Sequence, residues 1–459
     1  MRERHRAAHD DYARSVTVHA DLPEHTGLPV DADSHQALAA TGLDLSILDP
    51  RDDAAARQWL QADARGFHDP ARSDELLGVL TREIASDLVT AVHDRSGADP
   101  DSPVATVRSW PMDLTVPGGA ALPAWAISSV TVAPTHRRRG IARALLPAEL
   151  RYARALGLPM AMLTVSEATI YGRFGFGPAA YQTQYQVDTS RARWIGPTPG
   201  GRVHFVTASS LLTDGPAIFE RSREPGEVDR RDIWWKHALG LVPQDPDSEK
   251  RSLRCVRYDD ESGVAQGFAV YSIVLGEEGY PARLNLADLV AATDDAYAAL
   301  WHFVIDMDLV TEVSAPLRST SEHVAWQVLD RRAVRKTLER DHLWLRILDV
   351  PAALSARSYS APGIFALTIS DALGFAAGEY LLTVDAAGVG RAHPLTAPAP
   401  DESVRVAMSV ADLGSLYLGA GNAIDLVRAG RLTEQTTDAA VRLDASFHSA
   451  RTPRLSTWF

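Results

Sequence analysis

The fold is decided by Val130-Thr131-Val132-Ala133-Pro134-Thr135-His136-Arg137-Arg138-Arg139-Gly140-Ile141-Ala142. The chain before the basic residues, Trp125–Val132, is an apolar run of strand length. The chain after them, Gly140–Leu156, carries its apolar residues at the spacing of an amphipathic helix, and Gly157 ends it. The sequence therefore predicts a strand, a basic turn and a helix in direct succession, which is typical of α/β proteins.

The basic turn has the chemistry of an anion-binding site. A helix begins with unpaired N–H groups and a partial positive charge, both of which attract phosphate. Gly140 and the small Ala142 allow a phosphate to approach the backbone, and Arg137–Arg139 add charged donors. The spacing fits the Arg/Gln-x-x-Gly-x-Gly/Ala pattern with which GNAT acetyltransferases bind the pyrophosphate of coenzyme A. The alternative is an ordinary basic turn that caps a helix.

A second motif follows Met160–Val165, a short apolar run that predicts a buried strand. Residues 166–178 read Ser-Glu-Ala-Thr-Ile-Tyr-Gly-Arg-Phe-Gly-Phe-Gly-Pro. Tyr171 is suited to act as a general acid, because a tyrosine hydroxyl is protonated at neutral pH. The alternative is a half-buried structural tyrosine. We assign the neighbouring Phe174 and Phe176 to the core.

Strand and helix patterns continue to the C-terminus and predict an α/β (α+β) protein of three domains. Residues 1–42 are polar and predict a flexible N-terminal extension. The first domain is then 43–195. The Pro- and Gly-rich stretch Pro197–Gly201 is a predicted linker at the start of a second domain, 196–340. Residues 341–459 form the third.

The second domain contains a strand-to-helix junction of its own, Ala291–Asp295. Thr293 is placed to cap the helix that follows. The junction has neither glycine nor arginine, and Asp294 and Asp295 would repel a pyrophosphate. We therefore expect no coenzyme A site in the second domain.

Composition narrows the class of protein. The 459 residues include 46 basic and 59 acidic side chains, a net charge of −13, which argues against nucleic acid as a partner and is compatible with a cationic substrate. The single cysteine, Cys255, excludes an intrachain disulfide and a cysteine-based zinc site. The polar N-terminus and the absence of a long apolar run predict neither signal peptide nor membrane span. We expect a cytoplasmic protein.

The chain resembles the Eis family of GNAT N-acetyltransferases, which acetylate aminoglycosides at several amines. The resemblance is carried by Val130–Ala142, Ser166–Gly175, Trp344–Ile347 and Gly414–Gly419, and it extends from about residue 43 to the end. It implies tandem GNAT-like domains, the second without a coenzyme A site, followed by a domain similar to sterol carrier proteins. It also implies acetyl-CoA as cosubstrate, no metal, and a homo-oligomer, a hexamer in this family.

The resemblance also implies roles for individual residues. Tyr171 is the implied general acid, and the implied general base is the free C-terminal carboxylate of Phe459. An α-carboxylate titrates near pH 3.5, so it is ionised at neutral pH and can accept a proton. The residues implied to hold acetyl-CoA are Val130, Val132, Arg137, Arg138, Gly140, Ile141 and Ser166.

Two positions depart from the family pattern. Ser129 and Trp458 stand where the family has an aromatic and an acidic residue in its amine pocket. Asp69, or Asp74 beside it, is a candidate for the missing negative charge. The open alternatives are acetylation of protein lysines or polyamines, and a protein that binds acetyl-CoA or an apolar ligand without turnover.

Overall fold

The computed structural model describes residues 27–49, 51–243, 252–276 and 279–459. The chain divides into two compact units. One contains the chain through Ala179, Leu343–Ala450 and Phe459, and the other contains Ala180–His342 and Arg451–Trp458. No helix within the described ranges is both long and apolar enough to cross a membrane.

The first unit begins with a sheet that helices cover on both faces. Its elements in chain order are α1 (Ala32–Ala39), β1 (Asp44–Leu48), α2 (Asp53–Phe67), α3 (Asp74–Glu83), β2 (Leu88–His93), β3 (Ala105–Thr115), β4 (Ala121–Val132), α4 (Ile141–Ala155), β5 (Met160–Thr164) and α5 (Ala168–Tyr171). The strands lie in the order β1-β2-β3-β4-β5, and β4 runs parallel to β5. The predicted strand, basic turn and helix are confirmed.

Each face of this sheet buries its own apolar cluster. Leu38 of α1 and Leu145 of α4 pack with Trp125 of β4 on one face. Trp59 of α2 and Leu77 of α3 cover β2 on the other. Since both faces are covered, β2 is buried along its whole length, including its polar residues Thr90 and His93.

The prediction of a flexible extension over residues 1–42 is wrong for α1. Asp31 caps this helix by accepting from the Ser34 N–H, and its carboxylate pairs with Arg151 of α4 at 2.5 Å. The Arg151 hydrogen bond lowers the pKa of Asp31 to about 2. The Ser34 hydroxyl also donates to the Ala144 carbonyl at 2.8 Å. Residues 1–26 lie outside the described part of the chain.

The second unit is also a sheet with flanking helices. Its elements are β6 (Gly177–Asp188, from Ala180 onwards), β7 (Arg202–Val206), α6 (Ala208–Ser222), α7 (Asp232–Ala238), β8 (Arg254–Asp259), β9 (Ala265–Gly276), β10 (Gly279–Ala291), α8 (Asp294–Ile305), β11 (Val310–Arg318) and the first part of β12 (Val334–Ile347). The strand order β6-β11-β10-β9-β8-β7 is antiparallel except between β10 and β11.

The predicted boundary between residues 195 and 196 lies 16 residues after the division between the two units, which falls between Ala179 and Ala180. Strand β6 pairs with β11 from Thr183 to Asp188, so the chain has joined the second unit by Ala180. The last predicted boundary also needs correction, because Arg451–Trp458 belong to the second unit. Strand pairing sets the first boundary, and side-chain contacts with Glu227 and His342 hold Arg451–Trp458 in the second unit. Local composition carries little information about either kind of contact.

The helix predicted after Ala291–Asp295 is confirmed as α8. Thr293 accepts the Ala296 N–H at 3.1 Å, as the cap requires. Asp294 and Asp295 occupy the first turn, so this helix N-terminus carries two carboxylates where the corresponding turn of the first unit carries arginines. The expectation that it binds no pyrophosphate stays a prediction.

The first unit resumes at Leu343, in the second part of β12, and continues with a second, smaller sheet. Its elements are α9 (Val350–Ala356), β13 (Gly363–Ser370), β14 (Gly378–Val384), β15 (Gly390–Pro394), β16 (Val404–Ser409), α10 (Val410–Tyr417), α11 (Ala423–Arg428), β17 (Leu432–Glu434) and α12 (Ala439–Phe447). The strand order is β15-β14-β13-β16-β17. Buried Arg357 donates to the carbonyls of Tyr417 and Phe447, where α10 and α12 end and the helix dipole favours a cation.

Helix α10 packs directly on the backbone at the start of β6. A Cβ added to Gly177 would lie 1.8 Å from the Ala411 carbonyl oxygen. A Cβ added to Gly414 would lie 2.8 Å from the Leu345 carbonyl oxygen. Both glycines are therefore required for space, because backbone occupies the position that a side chain would take.

We predict that Gly177→Ala destabilises the protein by about 1–3 kcal/mol through overpacking. Gly172→Ala is the matched control, since Gly172 has helical dihedral angles and its Cβ would meet nothing within 4 Å. Denaturant unfolding of the two variants beside wild type is the measurement. Equal midpoints for the two variants would show that α10 can move away from β6 at no cost.

A buried carboxyl group lies beneath β4. Glu149 of α4 is 1% exposed, and its Oε2 accepts the Trp125 indole N–H at 2.9 Å. Burial raises the pKa of Glu149 to about 7. The folded protein therefore holds a proton that the unfolded chain releases above its ordinary pKa of 4.5, so this residue lowers stability as the pH rises from about 4.5 to about 7.

We predict that Glu149→Gln stabilises the protein at alkaline pH and changes it little at pH 5. Glutamine keeps an acceptor for Trp125 but carries no charge, and the pKa shift corresponds to about 3 kcal/mol. Unfolding midpoints from about pH 5 to pH 9 test this, with exposed Glu75→Gln as control. Parallel pH curves for wild type and Glu149→Gln would contradict it.

Candidate functional site

Strands β4 and β5 are neighbours over a short distance only. Their parallel register comprises two pairs, of which the second joins Ala126 to Met162. Strand β4 nevertheless continues to Val132. The two strands therefore separate after Ala126, and a cleft opens between their carboxyl ends.

A β-bulge interrupts β4 at the cleft. Ser129 has a φ of +55°, and the register with β3 shifts between Thr106 and Arg108. The Thr106 hydroxyl donates to the Ser129 carbonyl at 2.8 Å and holds the bulge. The candidate substrate residue Ser129 is thus the point at which β4 changes direction, a feature that its residue type did not predict.

The bulge is followed by residues whose backbone groups face the cleft. Ala133 donates its N–H to the Val104 carbonyl at 2.8 Å, so its donor points to the β3 side. Successive residues of a strand direct their N–H and C=O groups to opposite edges. Val130 and Val132 therefore direct theirs away from β3, toward the edge where pairing with β5 has ended.

The basic turn leads from the end of β4 into α4. Arg138 and Gly140 have φ values of +63° and +81°. A Cβ on Gly140 would meet nothing within 4 Å, so glycine is favoured there by backbone conformation and not by space. Ile141 is buried as the first residue of α4. The side chains of Arg137 and Arg138 are exposed and form no ion pair with the described residues.

Arg139 has a different role from its two neighbours. Its guanidinium pairs with Asp94 at 3.2 Å and donates to the Thr41 carbonyl at 2.8 Å. His136 lies 3.1 Å from the same carboxylate. Hydrogen bonds from Ser96, His136 and Arg139 hold the pKa of Asp94 well below its usual value. Asp94 therefore anchors the turn, while Arg137 and Arg138 remain available to an anion.

Tyr171 lies in α5, directly after the carboxyl end of β5. The residue is 6% exposed, and its ring meets the Phe176 ring edge to face. Burial, with a smaller contribution from the Glu167 charge, raises the pKa of Tyr171 to about 12. The hydroxyl has no hydrogen-bond partner among the described residues and is protonated throughout the neutral range.

The turn after Tyr171 is fixed by an arginine that the sequence analysis did not single out. Arg346 of β12 is fully buried and donates to the Phe174 carbonyl at 2.8 Å. Its guanidinium pairs with buried Asp371 at 2.7 Å. The absence of a side chain at Gly175 provides space for this guanidinium, because a Cβ there would lie 2.6 Å from Arg346 Nε. A charged residue inside the apolar run Leu343–Leu348 was the available signal.

Phe459 lies at the open end of β5. Its main-chain oxygen accepts from the Thr164 hydroxyl at 2.7 Å, and its ring contacts the Trp110 ring edge to face at 6.3 Å. Thr164 is the last residue of β5, and Tyr171 follows it by seven residues. The C-terminus is therefore held beside the cleft. Thr164 carried no signal in the sequence, since a threonine at a strand end is a common feature.

The other candidate residues lie in different surroundings. Ser166 is exposed in the bend directly after β5. Asp69 is exposed, and it lines an open cavity of about 500 Å³ with His68 and Arg65 at the end of α2. Trp458 belongs to the second unit, where its ring meets the His342 ring edge to face at 4.3 Å.

Three known domain types match the chain. An acetyltransferase (GNAT) domain matches residues 49–179, and a second acetyltransferase (GNAT) domain matches 226–347. A sterol carrier protein domain matches 350–456. The first match contains the cleft, the basic turn and Tyr171. The predicted fold class is confirmed.

Several relatives match nearly the whole chain. A Streptomyces avermitilis protein described as an uncharacterized N-acetyltransferase is 36% identical over 88% of this chain and 96% of its own. The N-acetyltransferase Eis of Mycobacterium tuberculosis is 36% identical over 78% of this chain and 87% of its own. The crystal structure of Eis1 from Mycobacterium abscessus superimposes with a TM-score of 0.76 and 28% identity, over 91% of this chain and 100% of its own.

Proposed function

The chain belongs to the Eis family of GNAT N-acetyltransferases and uses acetyl-CoA, and on that premise we propose that it acetylates primary amines of a cationic small molecule. The substrate class that the resemblance favours is the aminoglycosides. The observation that carries the proposal is the position of the Phe459 terminus, bonded through its main-chain oxygen to Thr164 at the mouth of the cleft. An enzyme that acetylates ammonium groups requires a base at this place.

We propose that acetyl-CoA lies in the cleft between β4 and β5. The free backbone groups of Val130 and Val132 bind the pantetheine arm and polarise the thioester carbonyl. The N-terminus of α4, with Gly140 and Ile141, receives the pyrophosphate, and the exposed Arg137 and Arg138 neutralise it. Ser166, exposed after β5, completes the site.

The amine must lose a proton before it attacks. A substrate ammonium with a pKa near 10 is charged at pH 7, and the Phe459 carboxylate accepts its proton, directly or through water. Attack on the thioester then forms the amide bond and breaks the carbon–sulfur bond. Tyr171, protonated because burial raises its pKa to about 12, donates to the leaving thiolate. No covalent enzyme intermediate is required, and Cys255 is buried elsewhere in the fold.

We predict that Tyr171→Phe and a chain extended by one alanine after Phe459 each lower kcat about 100-fold or more. The extension keeps the Phe459 ring but moves the carboxylate. Release of free coenzyme A thiol measures turnover, with Tyr181→Phe on β6 as the control for loss of a tyrosine hydroxyl. Full activity in the extended chain would exclude the terminal carboxylate as the base.

The proposal of a cationic substrate is based on the negative charge of the protein. The chain carries a net charge of −13, which attracts polycations. Asp69 supplies an exposed carboxylate after α2, where Gly66 brings the helix against Thr131 of β4. Asp74 is less suitable, because its carboxylate lies 3.4 Å from Arg57.

We predict turnover of kanamycin and an increase of about two- to fivefold in its KM for Asp69→Asn, with kcat little changed. Asp74→Asn is the matched control from the same segment. A lysine peptide and spermidine serve as competing acceptors in the same assay. Activity on the peptide or the polyamine alone would replace the aminoglycoside proposal with one of those acceptors.

Assembly into a homo-oligomer, with a hexamer as the form that the resemblance implies, stays a prediction. Cytoplasmic location is likewise an expectation from composition.

A further inference from the structure

The segment before the C-terminus is held tightly although it has no regular structure. Residues 452–456 form neither helix nor strand, yet Pro453, Arg454 and Leu455 are buried. Chain ends are ordinarily loose. The contacts of Arg454–Trp458 within the second unit show what holds this one.

Arg454 enters a buried cluster of carboxylates. Its backbone N–H donates to the Pro225 carbonyl at 2.9 Å. Its side-chain Nε lies 3.1 Å from a carboxylate oxygen of Glu227 and 3.4 Å from one of Glu224. Glu227 is 0% exposed and Arg454 is 8% exposed. Burial acts to lower the pKa of Arg454, but the surrounding carboxylates, Glu227 first among them, together outweigh it and raise this pKa. Removing one partner of such a pair would leave a buried charge unpaired.

The same carboxylate also binds Ser456. Glu227 Oε2 accepts the Ser456 hydroxyl at 2.8 Å and the Ser456 N–H at 3.2 Å. Arg230 donates to the Ser456 hydroxyl at 2.8 Å and pairs with Asp288 at 2.6 Å. The buried Glu227 carboxylate thus contacts two residues of the segment, Arg454 and Ser456.

His342 binds the next residue along. Its Nε2 lies 2.8 Å from the Thr457 carbonyl oxygen, and because a carbonyl only accepts, Nε2 carries the proton. The imidazole is fully buried, and burial lowers the pKa of His342 to about 4, so the ring is neutral at physiological pH. The Trp458 ring packs edge to face on His342, and Arg340 lies over it at 5.4 Å.

Gly226 permits this close approach. It has a φ of +95°, and a Cβ there would lie 2.6 Å from the Arg454 carbonyl oxygen. Arg454 and Leu455 are therefore buried, and Ser456 and Thr457 are hydrogen-bonded by specific partners. Trp458 packs on His342 but is itself exposed. Phe459, which carries the C-terminal carboxylate, is the next residue.

We propose that Glu227 and His342 are positioning residues for acetyl transfer, which fix Arg454–Thr457 so that the carboxylate of Phe459 is held in one place. The proposal rests on the proposed function, in which that carboxylate is the base. Ordering a flexible chain costs about 1–2 kcal/mol per residue. The buried contacts of Glu227 and His342 meet this cost during folding, so the base is in place when the amine arrives.

The test compares Glu227→Ala and His342→Phe with wild type in the full-length enzyme. We expect kcat to fall about 10- to 100-fold while the KM for acetyl-CoA is unchanged, since a small displacement of the base has an effect of this size. His342→Gln keeps an N–H at the same place and is expected to retain most activity. Glu261→Ala, on an exposed turn of the same unit, is the control.

The pH dependence separates positioning from a general structural role. An acceptor that deprotonates by itself needs no base, so the defect in kcat/KM should be large at pH 7 and small above the acceptor pKa, near pH 10. A defect that is equal at all pH values, or accompanied by a changed KM for acetyl-CoA, would overturn the proposal. His342→Phe keeps a buried ring, so it provides the test if Glu227→Ala does not fold.

Failure of the proposed function would give a different set of assay results from failure of the positioning proposal. If the chain extended after Phe459 is fully active, the carboxylate is not the base and there is nothing for Glu227 to position. If that extension abolishes activity while Glu227→Ala and His342→Phe retain wild-type kcat, the base assignment stands and only the positioning inference is wrong.

Discussion

The separation of β4 from β5 after Ala126 is the constraint on which the rest of the first unit depends. An unpaired strand edge exposes N–H and C=O groups, which are ordinarily satisfied by a neighbouring strand. Here the bulge at Ser129 turns β4 aside, and the edge at Val130 and Val132 is left open. The proposed occupant is the extended, amide-containing arm of acetyl-CoA, whose polar groups match such an edge as a strand would.

Each element around the cleft is held by a contact made outside it. Asp94 holds the basic turn through Arg139, and Arg346 holds the turn after Tyr171 through the Phe174 carbonyl. Arg346 is in turn paired with Asp371 at the end of β13, so the sterol-carrier-like domain supports the segment that carries the proposed acid. A buried ion pair of this kind adds little to net stability, because desolvation of the two charges offsets their attraction, but loss of one partner leaves the other charge buried and unpaired.

Buried polar groups also explain how a chain end without regular structure can be held in a defined position, as the proposed base requires. The proposed acid and the proposed base are held in place by different kinds of contact. Tyr171 is fixed by apolar packing within a helix, whereas the segment before Phe459 is fixed by the Glu227 carboxylate and the His342 imidazole. Loss of an apolar contact weakens packing gradually, while loss of Glu227 leaves the buried Arg454 without its nearest partner.

The sequence by itself determined what depends on neighbours along the chain. The strand, turn and helix around Val130–Ala142, the cap at Thr293 and the fold class follow from periodicity, capping and glycine placement. Tyr171 and Phe459 were identified as the general acid and the general base by resemblance to the family, and these roles stay predictions. Tertiary structure alone decided the bulge at Ser129, the boundary inside β6, the helix at Ala32–Ala39 and the partners of Arg454. These depend on strand register and on buried charges from distant segments, whose pairing no local pattern specifies.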